Sequence, residues 1–483
     1  MAPEPKPVLI VGCGPGAPEY VTPAARQAAR QAGALLGAGR LLELFPECAC
    51  EKVPWRGTTE AMLDEIGRLL AQGKRVAVLV SGDPGLFSLA QSVLRRFGAA
   101  ACEIIPAVSP VQVAFARVGL DWAGVRILSA HGRSPGIDPM ELAETDKVAI
   151  LAGTAEALAW CARAATALEE THTAVVCENL TLPGERVRIL VPQEIATCGA
   201  SSLTIVLLVR RALTREGEAP AEPLRENRNG SAGASPSLGL GTLYGMGVGP
   251  GDPEWMTVKA ARILAGCRHV CVPRSRDAAD SVALEIARPY LRPDAVIHET
   301  TFLMTSDRDL LRQSHRQAAQ EVLAVLTSGE DCCFLTLGDA MLYSTYIYLL
   351  RELRDLCPAV KVETVPGITA FSAAAALTGF PVGEGKQTVT IVPASDDLGV
   401  LRRALDGGGT VVLMKVGSRL EKVLDELEAR GLTDHAVFVS HAGMASQRVE
   451  TDLRSLRGAP SQTGYLSILI IQAGPSSSDV ERP

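Results

Sequence analysis

An internal repeat limits the fold of this 483-residue chain more than any other feature. Gly12-Cys-Gly-Pro-Gly-Ala-Pro18 returns as Gly247-Val-Gly-Pro-Gly-Asp-Pro253, and Val80-Ser-Gly-Asp-Pro84 returns as Thr336-Leu-Gly-Asp-Ala340. Ile105-Pro-Ala-Val-Ser109 returns as Val365-Pro-Gly-Ile-Thr369. Three motifs in one order mean a duplicated domain of roughly 200–230 residues rather than one large core. The separation between matching motifs widens after the first, so the second copy carries insertions there. The two modules are expected over 1–211 and 241–475. Residues 212–240 have no aromatic side chain and are rich in Pro, Gly, Ser, Glu and Arg. Such a stretch buries too little to offset its ordering entropy, which predicts a flexible linker reaching roughly 30 Å and modules that move independently. Residues 476–483 are expected to form a disordered tail.

Within each copy the pattern alternates between two periods. Val76-Ala-Val-Leu-Val80 and Cys332 to Leu337 are apolar runs of buried-strand length, each preceded by helical spacing over Thr59 to Ala71 and Asp309 to Leu326. The glycine motifs follow the apolar runs Val8 to Val11 and Leu243 to Met246. Strand, glycine turn and helix in succession predict α/β layers on a largely parallel sheet. The later part of each copy is richer in strand patterns, Val187 to Val191 with Leu203 to Val209 and Ala436 to Ser440 with Leu466 to Ile471. That predicts a second, mixed sheet and hence two lobes with a cleft between them.

Composition removes several function classes. Lys+Arg 47 against Asp+Glu 54 gives a net charge of −7, which opposes general binding of nucleic acid or anionic lipid. Aromatic residues are 4% of the chain, too few for a base-stacking platform. No apolar run approaches the ~20 residues that span a bilayer, and the start has no basic stretch leading into a long apolar one. A cytoplasmic chain is expected. The 12 cysteines are scattered without a CxxC pair or histidines at zinc spacing, which predicts free buried thiols and no metal ligands.

The three recurring turns are the candidates for chemistry. A strand ending in G-x-G-P-G lets a ligand approach backbone N–H groups, and it also serves as a plain tight connection. Asp83-Pro84 reads as a helix start, with Asp as cap and Pro as first helical residue, or as a ligand contact beside Gly82. Ser109 and Thr369 are likewise caps first and contacts second. Recurrence of all three turns at strand ends in two diverged copies favours a ligand, because open α/β sheets collect ligands there. Gly12 to Ala17 also satisfies the dinucleotide pattern G-x-G-x-x-A, so a nicotinamide oxidoreductase is an alternative. Against it, Pro15 and Pro250 remove an N–H inside the loop, and Val270 to Val272 runs into Pro273-Arg-Ser-Arg276 without a strand-terminal acid. Nucleophile-elbow, zinc-protease, P-loop and EF-hand patterns are missing from the sequence, so a cofactor would carry the reactive group.

The ordered motif set resembles the tetrapyrrole methylase family, the S-adenosylmethionine-dependent methyltransferases of corrin and siroheme synthesis. The first half is similar to precorrin/cobalt-precorrin C(5)-methyltransferases through Ser129-Ala-His-Gly-Arg133 and Glu178-Asn-Leu-Thr-Leu-Pro-Gly-Glu-Arg186. The second half is similar to precorrin-2/cobalt-factor II C(20)-methyltransferases through Phe334 to Asp339, Leu342 to Tyr346, Val365 to Ser372 and Val411 to Gly417. Ala107, Pro110 and Ala340 depart from the family's usual Gly, Ser or Thr, and Pro.

The resemblance implies two tandem modules, each of two α/β lobes with S-adenosyl-L-methionine in the cleft. Carried over by position, the cofactor contacts are Pro15, Ser81, Gly82, Asp83, Leu86, Ser109 and Pro110 in the first copy. In the second they are Pro250, Leu337, Gly338, Asp339, Leu342, Thr369, Ala370 and Met414. The implied activities are methylation at C5 of precorrin-6Y/cobalt-precorrin-7 and at C20 of precorrin-2/cobalt-factor II, unless one copy has become a scaffold. Such tetrapyrroles carry many carboxylates, which need local cations. His131, Arg133, Arg186 and Arg188 are the first-copy candidates, and Lys415 and His441 those of the second. No residue is assigned as catalytic. The expected assembly is a homodimer or a module–module dimer.

Overall fold

The computed structural model describes residues 7–55, 57–130, 135–199, 201–213, 239–274, 281–303 and 307–474. Most of the expected linker, 214–238, and the tail from 475 onward lie outside the described residues. The first copy contributes β1 (Val8–Gly12), β2 (Ala34–Gly37), β3 (Glu51–Pro54), β4 (Val76–Val80) and β5 (Cys102–Ile105), then β6 (Arg126–Ser129), β7 (Lys147–Ala152), β8 (His172–Glu178), β9 (Arg186–Ile189) and β10 (Thr204–Arg210). The second contributes β11 (Thr242–Gly247), β12 (His269–Arg274), β13 (Val296–Thr301), β14 (Cys332–Thr336) and β15 (Lys361–Val365), then β16 (Val389–Pro393), β17 (Thr410–Met414), β18 (Ala436–Ser440), β19 (Arg448–Glu450) and β20 (Ser467–Gln472).

Two five-stranded parallel sheets repeat one order, β3-β2-β4-β1-β5 and β13-β12-β14-β11-β15. The central strands β1 and β4 are buried at every position because both faces are covered. Leu9 and Val11 enter one apolar cluster while Val8 and Ile10 enter another, as the two-residue strand period requires. Helices on these faces start where the sequence places threonine caps. Thr22, Thr58 and Thr257 accept from Ala25, Ala61 and Ala260 N–H. In each sheet the three motif turns leave the C-terminal ends of three adjacent strands, β4-β1-β5 and β14-β11-β15.

The remaining strands form one mixed sheet of ten in the order β19-β18-β20-β17-β16-β6-β7-β10-β8-β9. Its halves mirror each other, and the middle pair is antiparallel, with Val389 opposite Ile127 and Thr390 opposite Arg126. Ile391 N–H adds a bond to Val125 C=O at 3.3 Å. The expected mixed sheet is therefore present, but both copies build it together. Strands paired across the copies run against the expectation of modules that move independently. The compact units follow the same logic. One contains Met1–Ala114, Ala123–Gly217 and Thr369–Pro483, and the other Phe115–Trp122 and Glu218–Ile368.

Candidate functional site

In the first copy the turns close on each other through bare backbone. A Cβ on Gly12 would stand 2.6 Å from that of Ala107 and 2.8 Å from Pro84 Cδ, so the glycine is what lets the first turn meet the third. Gly82, at φ +69°, donates its N–H to Gly14 C=O at 2.8 Å. The second copy repeats the arrangement with Gly249 and Gly338 exchanging N–H···O bonds of 3.2 and 2.8 Å. There Gly247 lies against Gly367, and a Cβ on Gly247 would fall 2.4 Å from Gly367 N. The first copy thus carries the single methyl of Ala107 where the second has two bare backbones. Gly338, at φ +74°, is open, since a Cβ there would meet nothing closer than Ile368 O at 4.0 Å. That αL position at a strand end therefore has free space beside its backbone.

Both motif aspartates turn inward, with Asp83 2% and Asp339 3% exposed. Asp83 accepts from Gly85 N–H at 2.9 Å and from Ala107 N–H at 3.0 Å. Burial outweighs these donors and raises its pKa from 3.8 to about 6. Asp339 accepts from Met341 N–H and Trp122 Nε1–H, both at 2.9 Å, and from Gly367 N–H at 3.2 Å. Each carboxylate therefore ties the second turn to the third. The reading of Asp83-Pro84 as a helix start needs correcting. The helix begins only at Ala90, and the Gly85 N–H bond makes Asp83 the head of an Asx turn.

Ser109 and Thr369 cap as their residue type suggests, accepting from Gln112 N–H at 3.4 Å and Ser372 N–H at 3.0 Å. Pro15, Leu86, Pro250 and Leu342 are buried in their turns, while Ser81, Pro110, Leu337, Ala370 and Met414 keep partial exposure. The Ser81 hydroxyl accepts from Arg40 Nη2 at 2.9 Å. In the second copy, Thr369, Ala370 and Met414 belong to one compact unit and Pro250 to Leu342 to the other. Cys13, within the first glycine loop, is fully buried, which pushes its thiol up to about 12 and makes it a poor nucleophile.

His131 and Arg133 lie outside the described residues. Arg186 and Arg188 stand together on β9, and both bind the buried carboxylate of Glu178, at 3.0 and 2.7 Å. The three groups leave one net positive charge at that strand end. Lys415 and His441 follow β17 and β18 in left-handed conformations, φ +57° and +52°, a geometry that costs a side-chain-bearing residue energy. The His441 ring lies 6.1 Å from that of Tyr465. Sequence reasoning missed Arg40 and Trp122, whose contacts with the turns are long-range. Their spacing in the sequence holds no signal of those contacts.

Residues 7–196 and 242–457 match the family described as Tetrapyrrole (Corrin/Porphyrin) Methylases. The cobalamin biosynthesis protein CobIJ of Mycobacterium tuberculosis is 35% identical over 217 residues, 43% of this chain and 42% of that protein. The similarity thus spans less than half the length of that relative. The cobalt-precorrin-2 C(20)-methyltransferase of Salmonella typhimurium is 34% identical over 208 residues, 43% of this chain and 86% of that enzyme. The cobalt-precorrin-7 C(5)-methyltransferase of the same organism is 32% identical over 181 residues, 37% of this chain and 88% of that enzyme. Among the described residues no helix is long and apolar enough to cross a membrane. With matches to both copies of its repeat, the chain belongs to the tetrapyrrole (corrin/porphyrin) methylase family.

Proposed function

We propose that this chain is a bifunctional S-adenosylmethionine-dependent methyltransferase of corrin synthesis. The first copy methylates C5 of precorrin-6Y/cobalt-precorrin-7 and the second C20 of precorrin-2/cobalt-factor II. The observation that carries the reading is that two relatives of different single activities are each matched over 86% and 88% of their own length by this one chain. The paired sets of strand-end turns support it. When bound, S-adenosylmethionine would supply a sulfonium methyl group that an electron-rich ring carbon takes as the C–S bond breaks, with S-adenosylhomocysteine as the leaving group.

In this reading the protein's own contribution is placement rather than acid or base strength. The open backbone at Gly249 and Gly338, the apolar Leu342 and the partly exposed Leu337 would hold the cofactor in the second copy. Gly82, Ser81 with Arg40, Leu86 and Pro110 would do so in the first. Asp83 and Asp339 act by holding these turns together. Carboxylates of the acceptor would meet the net positive Arg186/Arg188/Glu178 group in the first copy and Lys415 and His441 in the second. The two copies form a module–module dimer within one chain.

The test is mass spectrometry of both acceptors incubated with the full chain and methyl-labelled S-adenosylmethionine. One labelled methyl on each acceptor, at C5 and at C20, is the expected result. Label on one acceptor alone would make the other copy a scaffold, and label on neither would end the reading.

A further inference from the structure

Each copy's aspartate turn is held by residues from the other copy. Asp339 belongs to the second copy, yet Trp122 Nε1–H is among its donors, at 2.9 Å. Trp122 lies in the first copy's sequence, four residues beyond the helix Pro110–Val118, and is 1% exposed. Its indole stacks on Phe115 with centroids 6.5 Å apart and planes 18° apart, which fixes the direction of the Nε1–H. The Trp122 backbone N–H also donates to Met341 C=O at 3.1 Å, so this residue grips the turn twice.

The first copy shows the same grip with the roles exchanged. Gly85 C=O accepts from Val382 and Gly383 N–H at 2.9 and 3.0 Å, and Phe87 N–H donates to Gly383 C=O at 2.8 Å. Val382 stands as far beyond Thr369 as Trp122 stands beyond Ser109. The backbone contact is therefore repeated by the duplication, whereas the side-chain donor is not, because valine has no polar hydrogen to give. Ser372 of the second copy is tied to its own third turn, its hydroxyl accepting from the Thr369 hydroxyl at 2.8 Å and its N–H donating to Thr369 Oγ1 at 3.0 Å.

We infer that Trp122 is a positioning residue for the second copy's cofactor turn, so that this site depends on the first half of the sequence. The inference rests on reading these turns as S-adenosylmethionine sites. A carboxylate this deeply buried depends on its donors, and one that loses a donor no longer holds Gly82 or Gly338 at a defined distance from the third turn. Only the copy whose aspartate is affected should lose cofactor affinity.

The experiment measures KM for S-adenosylmethionine and kcat separately for C5 and C20 methylation on the full chain. Trp122→Phe, which keeps an aromatic ring and deletes the Nε1–H, should raise KM for the C20 reaction about tenfold and leave the C5 reaction unchanged. Loss confined to the C5 reaction, equal loss in both, or no change in either KM would overturn the inference. If Trp122→Phe does not fold, as its melting curve will show, 3-benzothienylalanine at position 122, which keeps the bicyclic ring and puts sulfur in place of the N–H, decides by the same readout. A native chain that transfers no methyl group refutes the functional reading instead.

Discussion

Asp83 is an acid placed where its charge is costly, and its titration exposes that cost. Its pKa is about 6 in the folded chain against an ordinary 3.8, so between those values the native state holds a proton that the unfolded state has lost. Stability contributed by this group is therefore full below about pH 4, falls as pH rises toward 6 and is level above it. Relative to Asp83→Asn, the native protein should lose on the order of 3 kcal/mol across that window. Urea unfolding at a series of pH values reads the difference, and a flat or rising difference would contradict it. Asp339→Ala leaves Met341 N–H, Gly367 N–H and the Trp122 indole without that acceptor. A cost of about 3 kcal/mol or more is expected, together with loss of C20 methylation. Ala340→Pro places the residue that the first copy already has in this turn at Pro84, so it should change stability by about 1 kcal/mol or less and leave activity intact. The aspartates were legible in the sequence as recurring residues, but their inward direction was not, because beyond the N–H two residues on, their donors Ala107, Gly367 and Trp122 are far along the chain.

Among the elements, local pattern was read well and pairing was not. The helix Thr59–Ala71 and the strand Val76–Val80 have the bounds that the apolar spacing predicts, since both are set by neighbours in sequence. The helix predicted over Asp309 to Leu326 runs from Arg308 to Thr327, with Asp307 accepting from Asp309 and Leu310 N–H as its cap. No periodicity announces that β6 pairs with β16, because a short strand beginning with Arg126 looks like any edge strand until another edge is found for it. The β8–β9 pair offers a test at this scale. Glu178 is buried at the end of β8, and Arg188 is the more enclosed of its two partners, with side-chain exposures of 36% and 55% for Arg188 and Arg186. Arg188→Ala should lower stability by roughly 1–3 kcal/mol, and Arg186→Ala by less. Urea midpoints decide the order, and equal effects or the reverse would show that Glu178 does not depend on the inner arginine.

For the whole molecule, duplication has produced two copies that share structure. The ten-stranded sheet runs across both, and the aspartate turns are gripped from the opposite copy, by Trp122 on Asp339 and by the Val382 and Gly383 backbone on Gly85. Cleavage at a protease site inserted between residues 214 and 238 should therefore leave the halves together. Size-exclusion chromatography should show one species of unchanged volume, whereas two separate half-sized species would mean that the shared sheet contributes little. The repeat announced two modules in the sequence, but it could not announce that they share the ten-stranded sheet, since that depends on which sheet edges meet. The central claim is that both copies hold S-adenosylmethionine, and calorimetric titration of the full chain tests it most directly. Two molecules of S-adenosylmethionine bound per chain is the predicted result. One or none, or tight binding of a reduced nicotinamide dinucleotide in its place, would contradict the account.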